Sequence, residues 1–310
     1  MKTRLYFVHA LSPLHAGTGQ SVGAIDLPIA RERPTGIPLV PGSSIKGALR
    51  ASCRERYKED EGKTITIFGP ETPNAGEHAG AVQFTDAHLL LLPVRSICGT
   101  FAWVTSPFLL QRFSRDAKEA GDAIAFGERP RNESECFTVA DAAIKTNVNN
   151  APKVVLEDFD FAPSTSEKHQ KGVATLADLI GLRIFSDADS HWRDTLKKRL
   201  CIVHDDVMSL LLETATEVVA RIRLDENTKT VAKGALWYEE ALPTESILYG
   251  LAAASDVTPK GVKDGSKRQI MNAGELLDAV ARIPTGMLQL GGKATVGRGV
   301  CQLSMKAGAQ

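Results

Sequence analysis

The sequence predicts an α+β fold, and three stretches predict it. Arg4–His9 reads as a strand with apolar residues on both faces, Leu5 and Phe7 on one and Tyr6 and Val8 on the other, as expected of a largely covered strand. After the break at Pro41-Gly42, Ser43 offers an N-cap hydroxyl, and Ile45, Ala48, Leu49, Ser52 and Cys53 recur at helical spacing. Near the far end, strand-like Met287–Leu290 and Val300–Met305 flank the glycine-rich loop Gly291–Gly299.

The composition sets limits on partners. A chain of 310 residues holds one large domain or two ordinary ones. Apolar residues make up 43% and charged residues 24%, the balance of a globular protein. Lys and Arg number 37 and so do Asp and Glu, so any affinity for nucleic acid must come from local clustering. The cysteines, Cys53, Cys98, Cys136, Cys201 and Cys301, form no CxxC pair, which excludes a zinc knuckle and fits buried, reduced thiols. No signal-peptide pattern and no apolar run of about 18 residues occurs, so a cytoplasmic protein without a membrane partner is expected.

The remaining elements follow in order. Gly17, Gly19 and Gly23 mark a tight loop that leads to Asp26. Residues 59–80 are polar apart from Ile65–Phe68 and read as a surface insertion. Ala81–His88 reads as a strand, followed by Leu89–Leu92 and stopped by Pro93. Ser106-Pro107 starts a helix with Phe108, Leu109 and Phe113 facing inward and Gly121 closing it. Residues 127–150 form a second excursion, and Lys153–Phe161 alternates like a strand. Leu176–Phe185 and Trp192–Leu200 are short helices, and Asp205 caps another through Leu212. Glu217–Asp225 is a strand with Val218, Ala220, Ile222 and Leu224 opposite Arg221 and Arg223. With the aromatic stretch Gly234–Leu242 it makes an exposed hairpin, on which Trp237 and Tyr238 either stack on bases or join the core. Ser246–Ala253 is a strand, Thr258–Arg268 a basic loop, and Asn272 with Glu275 a capping-box start to a helix. In the last loop Gly292-Lys293 is followed by Ala294, and the loop precedes a strand, so it is no phosphate-binding Walker motif.

Three features bear on chemistry. Lys46, Arg50, Arg54 and Lys58 fall four residues apart and form a basic stripe on one side of a helix whose N-terminus suits an anion. A solvated amphipathic face accounts for the same stripe equally well. Asp26 is either a turn carboxylate or one that binds a divalent cation or helps deprotonate a ribose hydroxyl. His15 is either a structural hydrogen-bonder or an acid or base.

Taken together, five segments resemble the RAMP superfamily of CRISPR-associated proteins, and more narrowly the repeated backbone subunit of type III-B (Cmr) effector complexes. They are Leu11–Glu32, Ile37–Arg50, Val82–Ser96, Arg221–Pro243 and Leu288–Val300, and they run in order along nearly the whole chain. The resemblance implies one RAMP domain over residues 1–310. It would be a ferredoxin-like (RRM-like) palm with insertions at about 59–80, 127–150 and 164–195 and a thumb hairpin at about 225–243. It also implies metal-dependent endonuclease cleavage of target RNA at regular intervals along a bound guide. Asp26 matches the family's metal-dependent carboxylate, with Mg²⁺ or Mn²⁺ as the cofactor, and Glu239, Glu240 and His15 are further catalytic candidates. Ser43, Lys46, Arg50, Arg54, Trp237 and Gly297-Arg298-Gly299 are the implied RNA contacts. The implied partners are a guide crRNA, single-stranded target RNA, further copies in a helical filament and other Cmr-complex subunits. Two alternatives stay open: a non-catalytic crRNA-binding filament subunit, and a stand-alone endoribonuclease that processes precursor guide RNA.

Overall fold

The computed structural model describes residues 1–19, 25–58, 60–71, 73, 76, 78–124, 127–225, 227–257, 269–283 and 286–306. The basic loop expected at 258–268 and Gly23 lie outside these residues. Strand Lys2–Ala10 is buried from Leu5 onward, because it has a neighbour on each edge and helices over its faces. Across the main sheet the order is Leu200–Ile202, Phe101–Thr105, Ala87–Arg95, Ile247–Ala254, Lys2–Ala10, Val300–Ser304 and Met287–Gln289. Four of these, taken in chain order as first (Lys2–Ala10), second (Ala87–Arg95), third (Ile247–Ala254) and fourth (Val300–Ser304), lie fourth-first-third-second across the sheet. Every pairing among them is antiparallel. Helix Gly42–Arg56 lies between the first and second, and helix Ala273–Ala281 between the third and fourth. That is the ferredoxin-like order. Helix Pro107–Glu119 packs on the same strands through Phe113, whose ring meets Phe7 and Tyr249 edge-on.

Several local expectations give way to long-range contacts. Helix Gly42–Arg56 is capped by Pro41, not Ser43, and the Gly42 N–H donates to Asp86 Oδ1 at 2.8 Å. A carboxylate from a distant strand end therefore already satisfies the first free N–H of this helix. Glycine is required there, since a Cβ on Gly42 would stand 2.4 Å from the Phe84 carbonyl oxygen. Pro93 does not stop its strand, which runs Ala87–Arg95. Pairing with Ile247–Ala254 ends at Leu91, so the missing proline N–H forfeits no ladder bond on that side. Phe108 is 42% exposed, while Leu109, Leu110 and Phe113 are buried. His204 caps helix Asp205–Thr214, and Asp205 instead accepts from the Phe108 N–H, serving the start of the other helix.

The expected insertions are more structured than their composition implied. The knot Ile65–Phe68 belongs to helix Glu61–Phe68, with Ile67 and Phe68 in the core. Glu135–Cys136, Lys145–Val148, Ala151–Leu156 and Phe159–Pro163 make a separate four-stranded sheet. Helices Glu167–Ile184 and Ser190–Arg199 follow. The capping box of Asn272 and Glu275 is present as read. The hairpin consists of Glu217–Leu224 paired with Val231–Ala241, apart from the main sheet.

Candidate functional site

The base of the hairpin gathers most of the chemistry-bearing side chains on one short run, Tyr238-Glu239-Glu240. The outer edge of that strand pairs with the chain around Leu27: the Leu27 N–H donates to Tyr238 O (3.1 Å) and the Glu240 N–H to Leu27 O (3.0 Å). Asp26 is thereby brought to the Tyr238 N–H, which donates to its Oδ2 at 2.8 Å. Asp26 itself is exposed, so its carboxylate is fixed at one oxygen and open to solvent.

His15 is bonded to the same edge. Its Nδ1 lies 2.7 Å from the Glu240 carbonyl oxygen, and a carbonyl only accepts, so Nδ1 carries the proton. In the neutral ring Nε2 then holds the lone pair. His15 is buried, 7% exposed, with Gly17 beside it: a Cβ there would stand 2.7 Å from Nε2. Tyr238 N and Glu240 O face the same side of the strand, so Asp26 and His15 are held along one strand edge, at residues two apart.

Glu239 and Glu240 are both buried; both oxygens of Glu240 accept hydrogen bonds, whereas Glu239 accepts at Oε1 alone and its Oε2 has no hydrogen-bond partner among the described residues. Glu240 Oε1 accepts from Arg31 Nη2 (2.5 Å) and Thr216 Oγ1 (3.0 Å), and its Oε2 from the Ile29 N–H (3.0 Å). Glu239 Oε1 accepts from Lys293 Nζ and from Trp237 Nε1, each at 2.7 Å, and Arg221 Nε lies 3.4 Å from Oε2. Burial raises the Glu239 carboxyl, but the Lys293 and Trp237 hydrogen bonds and the nearby cations outweigh it and hold it below the ordinary carboxylate range. Trp237 is thus tied to its own strand by its N–H.

A second region lies along helix Gly42–Arg56. Ser43, Lys46, Arg50 and Arg54 line one wall of a groove of about 860 Å³, whose other lining includes Phe68–Glu71, His78–Gly80 and Val82–Phe84. Lys58 falls beyond the helix end at Arg56. Arg54 pairs with Glu71 across the groove. Arg50 Nη2 is buried without a hydrogen-bond partner, and burial together with the Arg54 charge lowers its guanidinium from the ordinary value. Orphaned donors on a basic wall describe a place for an anion from outside.

The glycine-rich loop is part exposed and part packed into the protein. Gly297 is exposed in left-handed backbone at φ 78°. Gly299 is buried, and a Cβ there would stand 2.0 Å from Leu290 O. Arg298 is only 6% exposed, with Nη1 unpartnered, and its charge acts on Glu217 at the hairpin base. The structure thus joins Asp26, His15, Glu239, Glu240 and Trp237 in one cluster and Ser43, Lys46, Arg50 and Arg54 in another. Arg31, Thr216 and Asp86 complete these arrangements and carried no signal in the sequence, since each acts on a partner remote in the chain.

The donors available to a metal are few. Asp26 is the one carboxylate of the cluster open to solvent, and so the one able to offer an oxygen to a divalent cation. Among the described residues, the grouping of three metal-type side chains close enough to share an ion is Glu133, His204 and Asp206, which does not include Asp26. No described helix is long and apolar enough to cross a membrane.

Comparison with known proteins places the chain in a family. The chain is 38% identical to the CRISPR system Cmr endoribonuclease Cmr4 of Pyrococcus furiosus, over 99% of this chain and 96% of that one. It superposes on the crystal structure of oligomeric Cmr4 from the same organism with a TM-score of 0.72 at 31% identity, each chain covered in full. A chain of the type III-B Cmr-beta complex bound to cognate target RNA shares the fold, with a TM-score of 0.70 at 20% identity over 98% of this chain and 97% of that one. The RAMP superfamily model matches residues 7–302, and with a full-length relative at 38% identity the chain belongs to the RAMP superfamily.

Proposed function

We propose that this protein is the repeated backbone subunit of a type III-B CRISPR effector complex and cleaves guide-bound target RNA through Asp26. The observation that carries the reading is the position of Asp26: an exposed carboxylate, fixed by the Tyr238 N–H, at the base of a hairpin that stands apart from the palm. The full-length likeness to an endoribonuclease supports it. The basic groove wall takes the guide phosphates. Each copy binds few of them, and repetition along a filament supplies the affinity that a chain of zero net charge lacks.

RNA strand cleavage requires the 2′-hydroxyl in line with its own phosphorus, which a regular duplex prevents and a displaced nucleotide permits. Asp26, with one oxygen held, directs the other at that hydroxyl or at a cation. A Mg²⁺ or Mn²⁺ held by Asp26 and RNA would stabilise charge developing on the phosphate. His15 sits at the same strand edge with Nε2 as the acceptor in its neutral form, the disposition of a proton carrier. Glu239 and Glu240 are positioning residues in this scheme, since both side chains are buried and held by cations of the protein itself, Lys293 on Glu239 and Arg31 on Glu240.

The test compares wild type with Asp26→Asn in complexes assembled on a guide RNA. Target binding is expected to stay within twofold, while Mg²⁺-dependent cutting of a labelled complementary RNA falls at least a hundredfold, the scale of losing a positioned charged group. Equal cutting by the two would make this chain a passive scaffold.

A further inference from the structure

Glu239 is an uncommon carboxylate: 3% exposed, ionised, and facing two cations from different parts of the chain. Arg221 belongs to the hairpin itself, whereas Lys293 comes from the loop after Met287–Gln289. That loop is itself locked to the palm. The Gly292 N–H donates to His15 O at 2.9 Å, and Gly291 lies so close that a Cβ would stand 2.2 Å from the same oxygen. Lys293 occupies left-handed backbone at φ 68°, a conformation unfavourable for a side-chain-bearing residue. Its Nζ nevertheless reaches the buried carboxylate at 2.7 Å. The residues on either side of Glu239 hold Asp26 and His15. Whatever sets the seat of Glu239 therefore sets both.

We propose that Lys293 and Glu239 form a latch between the glycine-rich loop and the hairpin base, and that Lys293 is a positioning residue for cleavage. The inference rests on the reading of Asp26 as the cleaving carboxylate. With Lys293 in place the charge of Glu239 is matched and the strand Trp237–Glu240 lies against the loop. Without it, Oε1 keeps only the Trp237 N–H, and a buried carboxylate so underpaired is driven toward water, carrying the strand with it. A shift of about 1 Å in a reacting group is enough to cost on the order of a hundredfold in rate.

The test is a double-mutant cycle in guide-loaded complexes, with target affinity and single-turnover cutting measured separately. Lys293→Met is expected to cut on the order of a hundredfold more slowly with target affinity within threefold, and Lys293→Arg to recover most of that loss. Glu239→Gln keeps an oxygen for Lys293 and Trp237 and is expected to cut within about tenfold of wild type. The decisive species is the double variant Lys293→Met with Glu239→Gln. Removing the unpaired charge should make it faster than Lys293→Met alone. A double variant no faster than Lys293→Met, or a Glu239→Gln enzyme as inactive as Asp26→Asn, overturns the latch and makes Glu239 a chemical participant. Asp26→Asn run alongside separates the levels. If it is inactive while Lys293→Met cuts normally, the latch alone falls; if it cuts normally, the cleavage reading falls and takes the latch with it. Thermal melts of each variant identify any loss caused by unfolding, and Lys293→Arg and Glu239→Gln, which keep the hydrogen bonds, carry the test in that event.

Discussion

The hairpin base and the groove wall hold comparable densities of charge and use it in opposite ways. At the base, Glu239 and Glu240 are buried and faced by Lys293, Arg221, Arg31, Thr216 and the Ile29 N–H, from three separate stretches of chain, with Glu239 Oε2 alone lacking a hydrogen bond. Along the wall, Ser43 and Lys46 have no partner among the described residues, and Arg50 keeps a buried nitrogen unbonded. Charges that satisfy one another fix geometry, because each severed pair strands its partner in a poorly solvated site. On a wall open to solvent, cations without a protein partner are free to take a ligand from outside. The base is thus built to hold Asp26 still, and the wall to receive a phosphate chain.

The strongest way to break this contrast is to strand a charge at the base. Arg31→Met removes the 2.5 Å partner of Glu240 Oε1 and leaves a 3%-exposed carboxylate with only Thr216 and the Ile29 N–H. The expected loss is about 3–5 kcal/mol of folding stability, read from denaturant midpoints. Replacing Glu240 by Gln in the same chain should return part of it, since the damage lies in the orphaned charge. A loss below about 1 kcal/mol would mean that the base tolerates unpaired charge, and the distinction between the two regions would collapse.

How each region was legible in the sequence follows from the range of its contacts. The wall is one helix face, and Lys46, Arg50 and Arg54 declare themselves by spacing alone, as do Ile45, Leu49 and Cys53 on the buried side. The capping box at Asn272 and the start at Pro107 are likewise local and stand as read. The base is assembled from Asp26, Arg31, Thr216, Tyr238–Glu240 and Lys293, and no short-range pattern records which of two adjacent glutamates meets Lys293 and which meets Arg31. For the same reason Ser43 looked like a cap while Asp86 served the first N–H, and Asp205 looked like the cap of its own helix while binding the start of another. Arg298 sits in a loop that reads as solvent-facing. It is buried all the same, and its charge acts on Glu217, some 80 residues away in the chain, which the local sequence does not encode.

The wall offers the next test, with the opposite signature. Lys46→Ala with Arg50→Ala should leave stability within about 1 kcal/mol, because neither side chain stabilises a partner in the free chain. Affinity for single-stranded RNA should fall, and the slope of log affinity against log salt should lessen by about 1.4, two phosphate contacts at 0.7 each. Filter binding across a salt series reads both quantities. An unchanged slope would remove the wall from the guide path, whatever happens to affinity at a single salt concentration.

The smallest effect is expected where the two regimes meet, at the ion pair of Arg54 and Glu71 across the groove. Arg54 and Glu71 are 50% and 61% exposed, so water already screens their attraction, and such pairs contribute between nothing and about 1 kcal/mol. Glu71→Gln should therefore leave the melting midpoint almost unmoved. Its effect belongs to binding: a carboxylate on Arg54 competes with an incoming phosphate for the same guanidinium. Its removal should strengthen single-stranded RNA binding by up to about fivefold, the upper end of what an exposed pair is worth. The gain should shrink as salt rises, since added ions already screen the competitor. Weaker binding would mean that Glu71 orients Arg54 toward the RNA, and that the wall, like the hairpin base, is held in shape by its own pairs.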